Sequence, residues 1–263
     1  MPDLTLHHGD CLEVMKEIPE KSIDLIICDL PYGCLHPQRV NPEDKAKYKN
    51  MPGAVGCAWD VKINLEEFWK QVKRIRKSEH TPTIHFCTTK FGYDLIKSNE
   101  AEFRYDLVWD KQRGVSFLSA NKMPMRSHEM IYVFSKAGAF YERKDIKGDF
   151  KANCGLKGRT GARQYGITKD FETPDNEGKR CALSVIQNKT SSTREGHPTE
   201  KPETLYRFLI ERYCPPGGTV LDPTFGSGNS VFTAYDMDRS AIGIEKDKTF
   251  FDKAVQKLNQ PAA

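Results

Sequence analysis

Short apolar runs alternate along the chain with stripes of apolar residues at helical spacing. Residues 23–28 are apolar except for Asp24, which is typical of a strand buried on both faces of a sheet. Apolar residues at positions 65, 68, 72 and 75 form one stripe, and Asn64 before them is a suitable N-cap, so we predict a helix from there. A long loop, 29–60, lies between them, and loops of this length are usually functional or mobile.

The same alternation continues over most of the chain. Further strands are predicted at 4–8, 83–88, 103–109, 129–134, 219–221 and 240–245, and further helices at 11–18, 91–98, 202–212, 229–237 and 248–258. Strands that alternate with helices predict an α/β fold with a mostly parallel sheet and helices on both faces. The pattern fails at 136–196, which predicts an insert of short strands and loops between two halves, 1–135 and 197–263.

Composition favours a soluble protein with one main core. The chain has 263 residues, 38% of them hydrophobic, and its mean hydropathy is −0.62. It contains no apolar run near the ~20 residues that a membrane helix needs and no visible secretory signal, so we expect an intracellular location. None of the eight cysteines forms a C-x-x-C pair, so we expect no metal and no disulfide.

Positive charge is concentrated in the predicted insert. Residues 136–195 contain 13 Lys or Arg against 8 Asp or Glu, while the whole chain carries only +4. Between 143 and 169 there are eight basic residues and two acidic ones, and aromatic residues lie among or near them at positions 140, 141, 150 and 165. Such a segment is either a solvated surface or a surface for a phosphate backbone.

The first candidate motif follows the strand at 23–28 and reads Asp29-Leu30-Pro31-Tyr32-Gly33. In open α/β sheets, ligands bind beyond the carboxyl ends of the strands. Taken alone, however, these five residues favour a tight turn, because Asp, Pro and Gly are turn residues.

The second candidate motif spans 220–228, where a strand leads through Gly226 and Gly228 into a helix. Glycines let the backbone approach a ligand, and a helix N-terminus favours negative charge. The next strand ends in Glu245, and an acid there can accept both hydroxyls of a ribose. Because Val231 stands where a dinucleotide fingerprint has its third glycine, a nucleoside cofactor without a pyrophosphate, such as S-adenosylmethionine, fits better than NAD.

Together these motifs resemble the amino-methyltransferases of DNA, the N6-adenine and N4-cytosine type. They resemble the permuted subgroup, in which the catalytic motif precedes the cofactor motif. A third element, 197–202, is similar to the segment before the cofactor strand, and weaker similarities lie at 9–10, 59–60, 109–111 and 128–129. The resemblance covers most of the chain apart from the insert. Leu30 replaces the usual first proline, and Asn229 stands where the family often has Thr.

This resemblance implies a Rossmann-like S-adenosylmethionine-dependent methyltransferase fold. It also implies methyl transfer to the N6 amino group of a flipped-out adenine in double-stranded DNA. Asp29 and the backbone carbonyl near Pro31 would accept the amino hydrogens, and Tyr32 would stack on the base.

The resemblance also assigns cofactor roles. Asp10 would contact the adenine of the cofactor and Glu245 its ribose, although Asp10 as a turn residue and Glu245 as a helix-start acid are rival interpretations. The methionine half of the pocket would be formed by Asp222, Phe225, Gly226, Ser227 and Gly228, and closed by Thr199 and Lys201. A solvated Lys201 is the alternative.

The insert and the loop 34–58 are the expected DNA-binding regions. The candidate DNA contacts are Arg39, Lys47, Arg143, Lys144, Lys157, Arg159 and Arg163. Adenine is preferred because Asp opens the catalytic tetrapeptide in most adenine-specific members of the family. The alternatives are an N4-cytosine enzyme, an inactive DNA-binding module of the same fold and, less favoured, a nucleotide-binding oxidoreductase. A homodimer and a cognate restriction endonuclease are candidate partners, and the expected location is the cytoplasm of a bacterial or virus-infected cell.

Overall fold

The computed structural model describes residues 2–33, 60–115, 120–147, 179–190 and 200–259. The chain forms two compact units, of which the first comprises 1–142 and 184–263 and the second comprises 143–183. The first unit holds the main sheet, and the second contains, among its described residues, a two-stranded antiparallel sheet.

The regular elements are numbered in chain order. The strands are β1 (Leu4–His8), β2 (Leu25–Cys28), β3 (Thr83–Cys87), β4 (Phe103–Val115), β5 (Arg126–Phe134), β6 (Ile146–Lys147), β7 (Lys179–Arg180), β8 (Val185–Gln187), β9 (Thr219–Asp222) and β10 (Ser240–Glu245). The helices are α1 (Cys11–Glu17), α2 (Leu65–Ile75), α3 (Thr89–Ser98), α4 (Glu203–Tyr213), α5 (Asn229–Asp236) and α6 (Lys248–Leu258), with one 3-10 turn at Glu100–Glu102.

The main sheet has eight strands in the order β1-β10-β9-β2-β3-β5-β4-β8. All neighbouring pairs are parallel except those of β5, which is antiparallel to both β3 and β4. The predicted mostly parallel α/β sheet is therefore confirmed.

Two apolar cores cover the two faces of this sheet. In β2, Leu25 and Ile27 pack into one core with α4 and α5, while Ile26 and Cys28 pack into the other core with α1, α2 and α3. Successive side chains of a strand point to opposite faces, so a strand buried on both faces has no polar positions to alternate. This explains the continuous apolar run that the sequence shows there.

Local caps fix where the helices begin. The Asn64 side chain accepts hydrogen bonds from the backbone N–H groups of Glu66 (3.0 Å) and Glu67 (3.2 Å), as predicted. Because the first N–H groups of a helix have no partner inside it, such a cap defines the start of the helix. Asp247 caps α6 in the same way.

The sheet extends further than the sequence pattern predicts. β4 and β5 are longer than expected and form a hairpin. β8 pairs with β4 and lies within 136–196, where short strands were predicted without positions. A three-residue strand is too short to show a period, and the polar end of the hairpin lacks the apolar alternation of a half-buried strand. No helix within the described ranges is both long and apolar enough to cross a bilayer.

Gly243 of β10 provides space for a side chain of the neighbouring loop. A methyl group at this position would lie 2.6 Å from the ring of Phe225 and 3.1 Å from both Leu6 and Val231. We expect Gly243→Ala to lower the free energy of unfolding by about 1–3 kcal/mol through overpacking, measured by urea denaturation. Gly138→Ala is the control, because nothing lies within 4 Å of its added methyl group. Equal stability of Gly243→Ala and Gly138→Ala would contradict this packing.

Candidate active site

Acidic side chains lie at the ends of four adjacent parallel strands. Asp10 follows β1, Glu245 ends β10, Asp222 ends β9 and Asp29 follows β2. The chain passes from β9 to β10 in one direction across the sheet and from β2 to β3 in the other, so the strand order reverses between β9 and β2. Ligands of open α/β sheets bind at such a reversal.

A cavity of about 800 Å³ opens at this edge of the sheet. The predicted site residues that line it are Asp10, Asp29, Pro31, Tyr32, Lys201, Phe225, Gly226, Ser227 and Glu245. Asp222 and Gly228, in contrast, do not line it. Thr199, Arg39, Lys47, Lys157, Arg159 and Arg163 lie outside the described residues. The structure thus brings most of the predicted catalytic and cofactor residues to one cavity.

The Asp29–Tyr32 segment has no regular secondary structure and forms part of the wall of the cavity. Gly33, which follows the segment, adopts the left-handed region (φ 66°), and its N–H donates to the buried Asp60 carboxylate at 2.8 Å. Leu30, the departure from the family pattern, is buried in the core, so an apolar side chain other than proline fits there.

The carboxylate of Asp29 has two different partners. Its Oδ1 accepts a hydrogen bond of 2.7 Å from the Tyr32 hydroxyl, and its Oδ2 accepts one from the Lys201 ammonium. Burial, together with the nearby charge of Asp29, raises the pKa of Tyr32 well above its usual value, so the phenol stays a proton donor. The Tyr32 ring also contacts that of Phe91, with centroids 5.2 Å apart.

Lys201 is a buried cation between two carboxylates. Its side chain is 3% exposed, and its Nζ binds Asp29 and lies 3.6 Å from Oε2 of Glu129. Burial alone would lower the pKa of Lys201, but these two carboxylates outweigh it and raise the pKa above its usual value. Lys201 therefore lines the predicted cavity as a charged group, and the alternative of a solvated lysine is wrong.

Glu129 and Lys111 are site residues to which the sequence assigned no role. Glu129 lines the cavity from β5, and the Lys111 ammonium binds its Oε1 from β4. Burial would raise the pKa of Glu129, but Lys201 and Lys111 outweigh it and hold the pKa below its usual value. The available signal was an acid at the start of an otherwise apolar strand, which indicates an ionic partner but not its identity.

Glu245 organises the glycine loop. Its two carboxylate oxygens accept the backbone N–H groups of Gly226 (2.9 Å) and Asp247 (2.7 Å). Gly226 and Gly228 both have left-handed backbones, with φ of 55° and 82°. Burial raises the pKa of Glu245 despite these two backbone donors. Each oxygen can accept a further hydrogen bond, as a role toward a ligand requires.

Asp10 begins a helix and also lines the cavity. It is the N-cap of α1, where Oδ1 accepts from the Leu12 N–H (3.0 Å), and its Oδ2 pairs with Lys246 at 3.0 Å. Burial would raise the pKa of Asp10, but Lys246 and the Leu12 N–H lower it overall. A carboxylate at the cavity wall with these partners can still accept hydrogen bonds from a ligand.

Asp222 lies beneath the loop instead of lining the cavity. It is 1% exposed and accepts hydrogen bonds from the Thr224 N–H (2.9 Å) and the Ser230 hydroxyl. Burial raises its pKa to about 7, assisted by the negative charges of Asp29 and Glu245.

Of the predicted DNA contacts, only Arg143 and Lys144 are described, and both belong to the second unit. Arg143 pairs with Asp145 at 2.6 Å. In the described part of the chain, no group of three or more His, Cys, Asp or Glu side chains is arranged to hold a metal ion. The predicted absence of a metal and of a disulfide remains a prediction.

Comparison with known proteins identifies the family of the chain. A model of the N6/N4 DNA methylase family matches residues 23–256. The chain belongs to this DNA methylase family. Its members transfer a methyl group from S-adenosylmethionine to DNA, so this chain is a DNA methyltransferase.

Individual relatives agree with this assignment. The Type II methyltransferase M.HinfI of Haemophilus influenzae is 27% identical over 97% of this chain and 68% of its own length. The solved structure of M1.HpyAVI with SAM shares the fold with a TM-score of 0.59 at 19% identity, covering 98% of this chain and all of that one. The cytosine-N4-specific PvuII DNA methyltransferase has a TM-score of 0.66 at 15% identity, covering this whole chain and 89% of its own. The predicted methyltransferase fold is confirmed.

The buried Asp222 carboxyl makes the stability of this methyltransferase depend on pH. Between about pH 4, where aspartate in an unfolded chain ionises, and about pH 7, the folded chain holds a proton that the unfolded chain has released. The free energy of unfolding therefore falls as the pH rises through this range, by about 1.4 kcal/mol per pH unit for this group. The free energy of unfolding is measured by urea denaturation for the wild type and for Asp222→Asn. We expect the difference between the two to change with pH at this slope. Parallel profiles of stability against pH for the two proteins would mean that Asp222 is ionised in the folded chain throughout this range.

Proposed function

We propose that the chain transfers a methyl group from S-adenosylmethionine to the N6 amino group of an adenine that has been flipped out of double-stranded DNA. The observation that supports this most strongly is the position of the Asp29–Tyr32 segment. It meets the cavity beside the strand-order reversal, with the Asp29 carboxylate held by a buried ammonium.

The charges around the cavity fit S-adenosylmethionine. Seven acidic residues line it, against three lysines. A ligand with a sulfonium and an ammonium is attracted by such a wall, whereas the pyrophosphate of NAD is repelled. The volume of about 800 Å³ also lies within the range of nucleoside-sized sites.

We assign the cofactor contacts from the two halves of the cavity wall. Glu245 would accept the ribose hydroxyls and Asp10 the adenine amino group, while the loop 225–227 would hold the methionine half. Glu245 already orients the Gly226 N–H, so the ribose acceptor and the loop would move as one unit. When bound, S-adenosylmethionine supplies an electrophilic methyl group.

Asp29 would activate the adenine amino group by accepting a hydrogen bond. The amino lone pair is delocalised into the ring, and an acceptor on one N–H favours a pyramidal nitrogen whose lone pair points out of the plane. Because Lys201 occupies Oδ2, Oδ1 is the oxygen that would receive the amino group. The Tyr32 hydroxyl, which now donates to Oδ1, would have to share or leave this oxygen.

Tyr32 and Pro31 would shape the base pocket. The Tyr32 ring is half-buried against Phe91, which leaves part of the ring for stacking on a flipped base. The carbonyl of the rigid Pro31 region would accept the second amino hydrogen. In this assignment the two acceptors and the stacking ring hold the nitrogen without any covalent bond to the protein.

Adenine is proposed over cytosine because aspartate opens the catalytic tetrapeptide. The N4 amino group of cytosine can make the same two hydrogen bonds, so an N4-cytosine enzyme is the second candidate, and the cytosine-N4-specific PvuII enzyme shares the fold. An inactive DNA-binding module is less favoured, because Asp29, Pro31 and Tyr32 are intact. The homodimer, the cognate endonuclease and the cytoplasmic location stay predictions.

Product analysis decides the target base. The protein is incubated with labelled S-adenosylmethionine and mixed-sequence duplex DNA, and the DNA is then digested to nucleosides. We expect the label in N6-methyl-2′-deoxyadenosine, and none above background with Asp29→Ala. Labelled N4-methyl-2′-deoxycytidine would overturn the adenine assignment, and DNA binding without any transfer would favour the inactive module.

Lys201 should set the lower pH limit of methyl transfer. In Lys201→Met, Asp29 and Glu129 face each other without the cation, and like charges favour a shared proton. We expect the single-turnover rate to fall and the acidic limb of its pH–rate profile to move to higher pH. Lys201→Met/Glu129→Gln should return the limb toward the wild-type position, because the second carboxylate is removed. An unmoved limb in Lys201→Met would show that the ammonium does not govern Asp29.

A further inference from the structure

The β4–β5 hairpin extends beyond the sheet edge that holds the cavity. β3 ends at Cys87, which is in register with Met130, so the part of β5 before Met130 has no β3 neighbour. Glu129 at this point lines the cavity. We define the hairpin tip as residues 111–115 and 120–128. At about 3.3 Å per residue, Arg126 lies roughly 10 Å along the strand from Glu129.

The tip contains lysine and arginine residues but no acidic residue. The sequence from 111 to 128 contains four Lys or Arg and no Asp or Glu. Lys111 is neutralised by Glu129. Arg113, Lys122 and Arg126 are exposed, and their side chains have no hydrogen bond or ion pair with any described residue. Three unpaired cations therefore stand together next to the cavity, outside the insert to which the sequence assigned DNA binding.

The backbone of the tip is irregular where it leaves the sheet. Between the pairs Asp110↔His128 and Val115↔Arg126, β4 has four residues where β5 has one, so the strand bulges. Gln112 in this bulge adopts φ 53°, and its N–H donates to the Asp110 side chain at 2.9 Å. Bulges beside active sites redirect the following side chains and increase the strand twist. The bulge thus redirects the strand that carries Arg113.

The tip also exposes two apolar side chains among these cations. Met123 is 60% exposed and Met125 43% exposed, and the Met125 side chain also lies near Gly114, where an added methyl would lie 2.9 Å from its Cε. Cations interleaved with an exposed apolar group match a nucleic-acid strand, whose phosphates are anionic and whose sugars and bases are partly apolar.

We propose that the hairpin tip binds the DNA backbone beside the flipped base, with Arg113, Lys122 and Arg126 on phosphates. This rests on the proposed function only in taking duplex DNA as the substrate, and it holds for either target base. The partner is DNA because the chain is a DNA methyltransferase and because the tip is complementary in charge to phosphate. The tip would hold the strand in register while the cavity receives the base.

The test compares two variants of the full chain that lose the same charge. The tip variant carries Arg113→Gln, Lys122→Gln and Arg126→Gln. The control variant carries Lys21→Gln, Lys73→Gln and Lys97→Gln, three exposed lysines at the opposite, amino edge of the sheet. Anisotropy of a labelled 25-bp duplex gives the Kd at several NaCl concentrations, with S-adenosylhomocysteine present.

Each phosphate contact contributes about 0.9 to the slope of log Kd against log salt concentration. We expect the slope of the tip variant to fall by about 2–3 and its Kd to rise at least about tenfold at low salt, with the control near wild type. An unchanged slope, or an equal loss in both variants, overturns the proposal. Reduced self-association in sedimentation with an unchanged slope also overturns it and makes the tip a protein contact.

Two further measurements keep the test decisive. Thermal unfolding and S-adenosylhomocysteine binding verify that the variants fold, and if the triple variant does not fold, the three single variants should each lower the slope by about 0.9. The wild-type nucleoside products are a separate readout. If the product is N6-methyl-2′-deoxyadenosine but the slope of the tip variant is unchanged, only the proposal for the tip is rejected. If another methylated nucleoside forms and the slope falls, only the choice of target base is rejected.

Discussion

Four carboxylates at one edge of a sheet are costly, because burial and mutual repulsion both disfavour their charged forms. The parallel register of β1, β10, β9 and β2 nevertheless brings Asp10, Glu245, Asp222 and Asp29 to the same edge. Each is compensated in a different way. Asp10 has a helix start and an exposed lysine, Glu245 has two backbone N–H groups, Asp222 has a pKa near 7, and Asp29 has the buried ammonium of Lys201.

These four solutions divide the site into parts with different chemistry. Backbone donors fix Glu245 in place, so it suits a ligand contact that must not move. The raised pKa of Asp222 allows it to sit under the loop without a full charge. Asp29 binds Lys201 through one oxygen and the Tyr32 hydroxyl through the other, and a hydroxyl donor can give way to an incoming amino group. In the proposed assignment, the cofactor and catalytic functions therefore belong to different strands along the edge of one sheet.

Local patterns in the sequence predicted most of the fold. The buried run of β2, the stripe of α2 and its Asn64 cap each depend on residues only a few positions apart, so they can be read directly. β8 and the polar end of the hairpin depend on pairing with distant strands and leave no period. The site motifs were found because strand ends carry ligand-binding residues. The Lys201–Asp29 bond joins residues 172 positions apart, and only the folded chain shows it.

We propose that Asp29 performs the chemistry while Glu245 holds the cofactor. The most direct test measures both the Kd of S-adenosylmethionine and the single-turnover transfer rate at saturating cofactor for Asp29→Asn and Glu245→Gln. We expect Asp29→Asn to slow transfer on the order of 10²- to 10³-fold or more with nearly unchanged cofactor affinity. Glu245→Gln should instead weaken cofactor binding and leave the saturated rate within a few-fold of wild type. If both variants changed the same quantity, the division of the edge into a catalytic and a cofactor half would be wrong.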